Sequence, residues 1–188
     1  MIDKINQRIK QTTDIMNSFS DDLKNNITIV AELISQAHKN KKRVFVIGNG
    51  GSACDAQHFE AELVGRFLRE REPMSVFALV TNSPLMTAIG NDYSINEIFV
   101  RQVKAHVEEG DVLVAISTSG NSGNIINAVE EAKNRGAIVI GLTGESGGKM
   151  KDMYDVLLNV PSTHTPRIQE SHILIIHLIC EFVEETLN

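Results

Sequence analysis

Five apolar runs, separated by longer segments of mixed polarity, set the pattern of the chain. Most of the runs are continuous rather than alternating, which is typical of strands buried on both faces of a parallel sheet. They cover residues 43–47, 75–80, 112–117, 138–143 and 156–161. The segments after them predict helices over 52–69, 84–104 with a break near 90–91, 122–135, 147–153 and 167–187. This βαβ series predicts an α/β fold, a three-layer doubly wound sheet of five parallel strands.

A long N-terminal segment precedes the first strand. Apolar residues recur at mostly helical spacing over 2–38, with a break expected between Ser18 and Asp22 and with Ser20 as the cap of the second helix. An amphipathic helix outside an α/β layer has to bury its apolar stripe. Residues 1–40 are therefore expected to pack on the core or on a partner subunit, and the second alternative is favoured for part of the segment. With 41–188 as the α/β core, the 188 residues are expected to form a single domain.

Composition limits the classes of binding partner and the cellular compartment that we expect for this protein. The net charge of −6 argues against a nucleic-acid or anionic-membrane surface, because such binders need a basic face. No apolar run is long enough to span a bilayer, and the first residues do not resemble a signal peptide. Cys54 and Cys180 do not form a CxxC pair, which favours free thiols in a reducing compartment. A cytoplasmic protein with neither nucleic acid nor membrane as partner is expected.

Polar loops follow four of the predicted strands, at the edge where parallel sheets bind ligands. Their sequences are GNGGS (48–52), TNS (81–83), STSGNS (117–122) and GESGGK (144–149). In the first loop, glycines permit close approach of a ligand, and the helix that follows offers unpaired N–H groups to an anion. GNGGS lacks the Lys-Ser/Thr of a triphosphate loop and is a poor dinucleotide fingerprint, so nucleotide binding is disfavoured.

The third loop carries hydroxyl groups on Ser117, Thr118, Ser119 and Ser122. Together with the N–H groups of the next helix, these hydroxyls could hold a phosphate without any lysine. The alternative is a serine-rich turn in which Ser122 caps that helix. The position directly after a parallel strand favours phosphate binding.

Two helices carry candidate metal ligands or acid–base groups. His58 and Glu62 lie one turn apart, about 40° from each other around the helix axis. The C-terminal helix adds Gln169, His172 and His177. Residues of these types suit zinc or a similar divalent ion, although a surface ion pair and ordinary core histidines remain open alternatives. Gln169 and His177 are separated by about 12 Å of helical rise, so both reach one ion only with extended side chains.

Several segments together resemble the phosphoheptose isomerases, which are sugar isomerase (SIS) domain enzymes. They are GNGGSACDAQHFEAEL, IGND, ISTSGNS, LTG…GGKM and RIQE…H, and the resemblance spans nearly the whole chain. The loops are shared with sugar-phosphate regulators, whereas HFEAEL and RIQE…H are narrower signals that point to the isomerases. The chain departs from the family pattern at Thr165-Pro166. The resemblance implies conversion of sedoheptulose 7-phosphate to D-glycero-D-manno-heptose 7-phosphate, for nucleotide-activated heptose and lipopolysaccharide biosynthesis.

The resemblance also implies roles for individual residues. Glu62 and His177 match the acid–base pair of the family. Substrate contacts are implied for Asn49, Gly50, Gly51, Ser52, Glu62, Asn91, Asp92, Ser117, Thr118, Ser119, Ser122 and Gln169. One Zn²⁺ per subunit is implied on His58, Glu62, Gln169 and His177, in a homotetramer with active sites at subunit boundaries. The alternative is a non-catalytic SIS module of the replication-initiator-associating type, which would bind a sugar phosphate or a protein and would need neither Glu62 nor His177.

Overall fold

The computed structural model describes residues 1–187, and its centre is a five-stranded parallel sheet in the order β2-β1-β3-β4-β5. The strands are β1 (Val44–Gly48), β2 (Val76–Ala78), β3 (Val112–Ile116), β4 (Ile138–Thr143) and β5 (Val156–Asn159). Every residue of the two central strands, β1 and β3, is buried, as their continuous apolar sequences require. The predicted α/β fold and the five parallel strands are therefore confirmed.

Seven α-helices surround the sheet. They are α1 (Ile2–Asn17), α2 (Asp21–Lys39), α3 (Gly51–Val64), α4 (Ser83–Asp92), α5 (Val100–His106), α6 (Gly123–Asn134) and α7 (Thr165–Leu187). Two short 3-10 turns, Ile95–Glu97 and Gly148–Met150, complete the regular structure of the described residues. Because the chain passes from β1 to β2 on one side and on to β3 on the other, the crevice between the carboxyl ends of β1 and β3 is the expected ligand position.

Three helix predictions differ from the structure in their bounds. The break expected near 90–91 comes slightly later, because α4 continues to Asp92 and α5 begins at Val100. Burial of Ile89 holds this turn against the core and outweighs the weak helix propensity of Gly90. The helix expected over 52–69 ends at Val64, since the chain beyond it is held by contacts with α7 that are described below. The segment 147–153 forms only the short turn Gly148–Met150.

The two N-terminal helices behave differently. The Oγ of Ser20 accepts a hydrogen bond from the Leu23 N–H at 3.2 Å, as predicted for a cap, and α2 packs its apolar face on α7 and β5. None of the residues in α1 is buried. Ile2, Ile5 and Ile9 are each more than half exposed. Thus α2 covers the sheet, whereas α1 is covered only near its end, where Ile15 and Met16 pack against the core, and its first isoleucines stay exposed.

The structure describes the two cysteines and the helices that bear on membrane insertion. Neither Cys54, which is exposed, nor Cys180, which is buried, forms a disulfide. Within residues 1–187, no helix has both the length and the apolar character needed to cross a membrane.

Candidate active site

The glycine loop, residues 48–52, follows β1 and leads into α3, where the Gln169 side chain of α7 lies against it. Gly50 adopts a positive φ of 54°, and the first turn of α3 carries no side-chain cap within the described residues. The space that a side chain on Gly51 would need is filled by the amide of Gln169 from α7. Glycine at position 51 thus leaves room for this amide at the start of α3. The backbone N–H groups of the loop lie at a positive helix terminus suited to an anion.

Asn49, the second residue of the glycine loop, is tied to α6. Its side-chain amide and that of Asn124 exchange two hydrogen bonds, each of 2.9 Å. Asn124 is buried, so this reciprocal pair fixes the glycine loop against the start of α6. The Asn49 side chain thus aligns two loops, and its amide keeps one N–H and one oxygen lone pair for a ligand.

The serine loop, residues 117–122, gathers hydroxyl groups at the start of α6. The Oγ atoms of Ser117 and Ser122 lie 3.3 Å apart, and Ser119 Oγ accepts the Asn121 N–H at 3.2 Å. Ser122 occupies the N-cap position of α6, but within the described residues its side chain makes no capping hydrogen bond. The structure therefore does not show the simple capping turn considered as the alternative.

A polar cavity of about 250 Å³ opens beside the serine loop. Most of the residues that line it are serine, threonine, asparagine or glycine. The full lining is Thr118, Ser119, Asn121, Gly144, Glu145, Ser146, Ser162, Thr163, Thr165 and Ile168. The loops after β3, β4 and β5 thus meet at one edge of the sheet. Uncharged donors dominate this edge, as a neutral phosphate seat requires.

A cluster of two imidazoles and one carboxylate is assembled by α3 and α7. Nε2 of His58 lies 3.1 Å from Oε1 of Glu62 and 3.0 Å from Nε2 of His177. The three candidate ligand atoms all lie within 4.8 Å of one another. The contacts Gly51–Gln169 and His58–His177 lie about two turns apart on each helix, so α3 and α7 run side by side in the same direction.

The cluster fits a divalent metal ion. An ion bound tetrahedrally at about 2.1 Å would hold its ligand atoms about 3.4 Å apart, a few tenths of an ångström more than the 3.0 and 3.1 Å observed. The His58 side chain is 42% exposed and that of Glu62 24%, which leaves a side open to an incoming molecule. The contact shown for Gln169 is with Gly51, about two helical turns from His58. Gln169 would therefore approach an ion from the side of the glycine loop.

Asp55 is a site residue that the sequence analysis missed. It precedes His58 by one turn on α3 and Glu62 by two, so it shares their face of the helix. Its Oδ2 atom is buried and has no hydrogen-bond partner among the described residues. Burial raises the pKa of Asp55 to about 6, although the nearby His58 charge works in the opposite direction. The helical spacing of Asp55, His58 and Glu62 was the signal that could have identified it.

Phe67 is the second residue that the sequence did not reveal. It lies just beyond α3, and its ring stacks on the imidazole of His177, with centroids 5.4 Å apart and planes inclined by 27°. The rings of His58 and His177 are also close, at 5.1 Å between centroids. The imidazole of His177 is therefore held between an aromatic ring and the other members of the cluster.

Asn91 and Asp92 make no hydrogen bond to these loops among the described residues. They occupy the last turn of α4, where the Asn91 side chain donates to Asp92 at 2.9 Å. Asp92 borders a separate cavity next to Tyr93 and Arg101. Within one chain, the glycine loop, the serine loop and the cluster are held by the contacts described above. Among the described residues, Asn91 and Asp92 take no part in those contacts.

Comparison with known proteins agrees with this arrangement. A family model of the SIS domain matches residues 8–144. A phosphoheptose isomerase of Geobacter sulfurreducens is 48% identical over 187 residues, covering 100% of this chain and 99% of the relative. The chain belongs to the phosphoheptose isomerase family.

Solved structures of phosphoheptose isomerases share the whole fold. One from Francisella tularensis superposes with a TM-score of 0.94 at 39% identity, covering 98% of both chains. One from Neisseria gonorrhoeae gives a TM-score of 0.89 at 42% identity, covering 97% of this chain and 98% of the other. Both coverages include the N-terminal helices, so this extension is part of the phosphoheptose isomerase fold.

Proposed function

We propose that the protein is an aldose–ketose isomerase that converts sedoheptulose 7-phosphate to D-glycero-D-manno-heptose 7-phosphate. Membership of the phosphoheptose isomerase family supports the reaction class and the substrate. The observation that carries the proposal is the convergence of Glu62 and His177, from two helices, on one exposed cluster next to the anion-binding loops. A binding module would need the loops but not this pair, so the cluster favours the enzyme.

The serine loop would hold the phosphate of the sugar. Ser117, Thr118, Ser119 and Ser122 offer hydroxyl groups, and the uncapped start of α6 offers N–H groups. Gly50, Gly51 and Ser52 at the start of α3 would contact the sugar through the backbone. Binding energy gained at the phosphate positions the carbonyl end of the sugar against the cluster.

Glu62 and His177 would carry the proton transfers. In the ketose-to-aldose direction, Glu62 removes the proton from C1, an enediol forms, and the proton is delivered to C2. His177 moves the hydroxyl proton from the oxygen on C1 to the oxygen on C2. One C–H bond and one O–H bond break and one of each forms, so no oxidant or reductant is required.

We further propose that the cluster holds one Zn²⁺ per subunit, on His58, Glu62 and His177, with Gln169 as the fourth ligand. When bound, the ion would polarise the two sugar oxygens as a Lewis acid. Glu62 then has two tasks. Its Oε1 faces His58, at 3.1 Å from Nε2, which leaves the other carboxylate oxygen for the proton at C1. One carboxylate can thus serve both as ligand and as base.

We propose that the active enzyme is a cytoplasmic homotetramer of single-domain subunits. Within the N-terminal segment 1–40, the exposed isoleucines of α1 support burial of this helix against a partner, while 41–188 would form the catalytic core. Asn91 and Asp92, which make no hydrogen bond to the glycine and serine loops among the described residues, would contact substrate at a subunit boundary. Two free cysteines support a reducing compartment. The product would supply nucleotide-activated heptose for lipopolysaccharide.

The decisive experiment is a turnover assay on purified protein. Sedoheptulose 7-phosphate is added, and NMR follows the appearance of the aldose, with the native protein, after chelation, and after zinc is restored. We expect turnover that chelation reduces and zinc restores. Binding of sugar phosphate without turnover in all three conditions would instead identify a binding module.

A further inference from the structure

The C-terminal half of α7 contains a buried carboxylate that the mechanism does not use. Glu184 is 2% exposed and lies two turns beyond His177. Its oxygens accept the backbone N–H groups of Phe67, Leu68 and Arg69 at 2.9, 2.9 and 2.8 Å. Burial alone would raise the pKa of Glu184, but these amides and the adjacent guanidinium outweigh it and hold the pKa below its usual value. The carboxylate is therefore ionised inside the protein.

The groups that Glu184 binds belong to the segment that leaves α3. A helix that continued to residue 69 would use these three N–H groups internally, but α3 ends at Val64. Arg71 completes the junction. Its guanidinium donates to Glu184 at 3.2 Å and to the carbonyls of Glu62 and Leu63, in the last turn of α3, at 2.8 and 2.7 Å. Glu184 and Arg71 thus join the end of α3 to α7.

This junction sets the position of Phe67. The first of the three amides bound by Glu184 is that of Phe67, whose ring stacks on His177. With one face of the imidazole covered, rotation of the His177 ring is restricted, while its Nε2 points towards His58 at 3.0 Å. An imidazole held in one orientation reacts or binds metal better than one that must first be ordered.

We propose that Glu184 and Phe67 are positioning residues for His177. Glu184 anchors the chain after α3, and Phe67 then holds the imidazole with Nε2 directed into the cluster. Neither residue touches the reacting part of the sugar. The inference rests on the proposed function only in assigning His177 to the active cluster.

Phe67→Leu is the main test, because it removes the aromatic face and leaves the amide that Glu184 binds. We expect zinc affinity, measured by competition with a chromophoric chelator, to fall about tenfold. NMR of isotope-labelled histidine, with His177 assigned through His177→Gln, should show its ring signals shifted and broadened. Isomerase kcat should fall while KM changes little, since the serine loop is untouched. Phe67→Tyr, which keeps the ring, should restore all three values.

Leu68→Ala is the matched control. Leu68 is 61% exposed and its backbone N–H still binds Glu184, so a truncation in the same loop is tested without loss of the stacked ring. The control should leave zinc affinity and the His177 signals unchanged. Equal effects of Leu68→Ala and Phe67→Leu would overturn the role of Phe67.

Glu184→Gln tests the anchor. A neutral amide offers only one acceptor oxygen to the N–H groups that the carboxylate binds. In the folded variant we expect the His177 signals to shift in the same direction as in Phe67→Leu. Should Glu184→Gln fail to fold, Phe67→Leu decides the proposal, and unchanged His177 signals in that variant would overturn it. The histidine signals require neither sugar nor zinc, so an inactive but correctly stacked enzyme would contradict the proposed function alone.

Discussion

The two ends of the site are built in different ways. The serine loop takes its hydroxyl groups from six consecutive residues at the end of β3, so one turn of backbone sets their geometry. The cluster takes His58 and His177 from positions 119 residues apart, on two helices that meet only in the folded protein. The phosphate end is therefore determined locally, whereas the proton-transfer end depends on how α3 and α7 pack. Substitutions can therefore change phosphate binding and proton transfer separately.

Glu62→Gln should have the largest effect, because it removes the proposed base and retains the shape of the side chain. We expect kcat to fall about a thousandfold, whereas the Kd for sedoheptulose 7-phosphate, measured by calorimetry, should change little. Glu60→Gln is a suitable control, since Glu60 lies on the same helix but lines the cavity beside Phe77. A normal rate in Glu62→Gln would remove Glu62 from the mechanism.

His172→Gln should change how stability depends on pH. His172 is fully buried, and its Nε2 donates to the Thr143 carbonyl at 3.1 Å, which joins α7 to the end of β4. Burial lowers the pKa of His172 to about 4, although this hydrogen bond opposes the shift. Between pH 6.5 and 4 the unfolded chain therefore binds a proton that the folded chain does not. As the pH is lowered from 6.5 to 4, the free energy of unfolding should therefore fall by roughly 3 kcal/mol.

The measurement is urea denaturation of both proteins at pH 7 and at points down to pH 4. Glutamine does not titrate but can still donate to the Thr143 carbonyl, so the variant should lose less stability on acidification than the native protein. Parallel curves for the two proteins would show that His172 does not carry this dependence.

Ser119→Ala combined with Ser122→Ala tests the phosphate end alone. Each lost hydrogen bond to a charged oxygen weakens binding, and we expect affinity for the sugar phosphate to fall about tenfold to a hundredfold, with kcat nearly preserved. Inorganic phosphate should compete less well by a similar factor. Thr81→Ala, in the loop after β2, provides the control. Intact affinity in the double variant would place the phosphate elsewhere.

Asn124→Ala should have the smallest effect. It breaks both hydrogen bonds to Asn49 and should cost about 1 kcal/mol of stability, seen as a lower urea midpoint. The cluster should be unaffected, because Asn49 and Asn124 join only the two loops. A fall in zinc affinity comparable to that of Phe67→Leu would show that the two ends are coupled after all.

The sequence predicts the parts of this protein that local pattern determines. Continuous apolar runs identify all five strands, and Ser20 identifies the start of α2. The end of α3 could not be predicted, because the carboxylate that takes the N–H group of Arg69 is 115 residues away in the chain. Glu184 itself resembles an exposed residue among other acids near the C-terminus. A buried charge of this kind is recognisable only when its donors are brought together by folding.

The cluster could be predicted only in part. The spacing of His58 and Glu62 places them on one helical face, but their meeting with His177 was only one open alternative until the family resemblance favoured it. Asp55 shares that face and was overlooked, because its unpaired oxygen is evident only once α3 is packed. Neither Phe67 nor Asn124 carries a sequence signal of its own, since both act through a contact with a distant residue.

The contact between Gly51 and Gln169 lets the absence of one side chain decide where another lies. The Gln169 amide occupies the volume that a larger residue at position 51 would claim, so a single methyl group there would turn the amide away from the start of α3. Because this amide ends a flexible side chain, the backbone of α7 and the imidazole of His177 would keep their places. Alanine at position 51 would therefore alter the polar groups beside the glycine loop and leave the cluster intact.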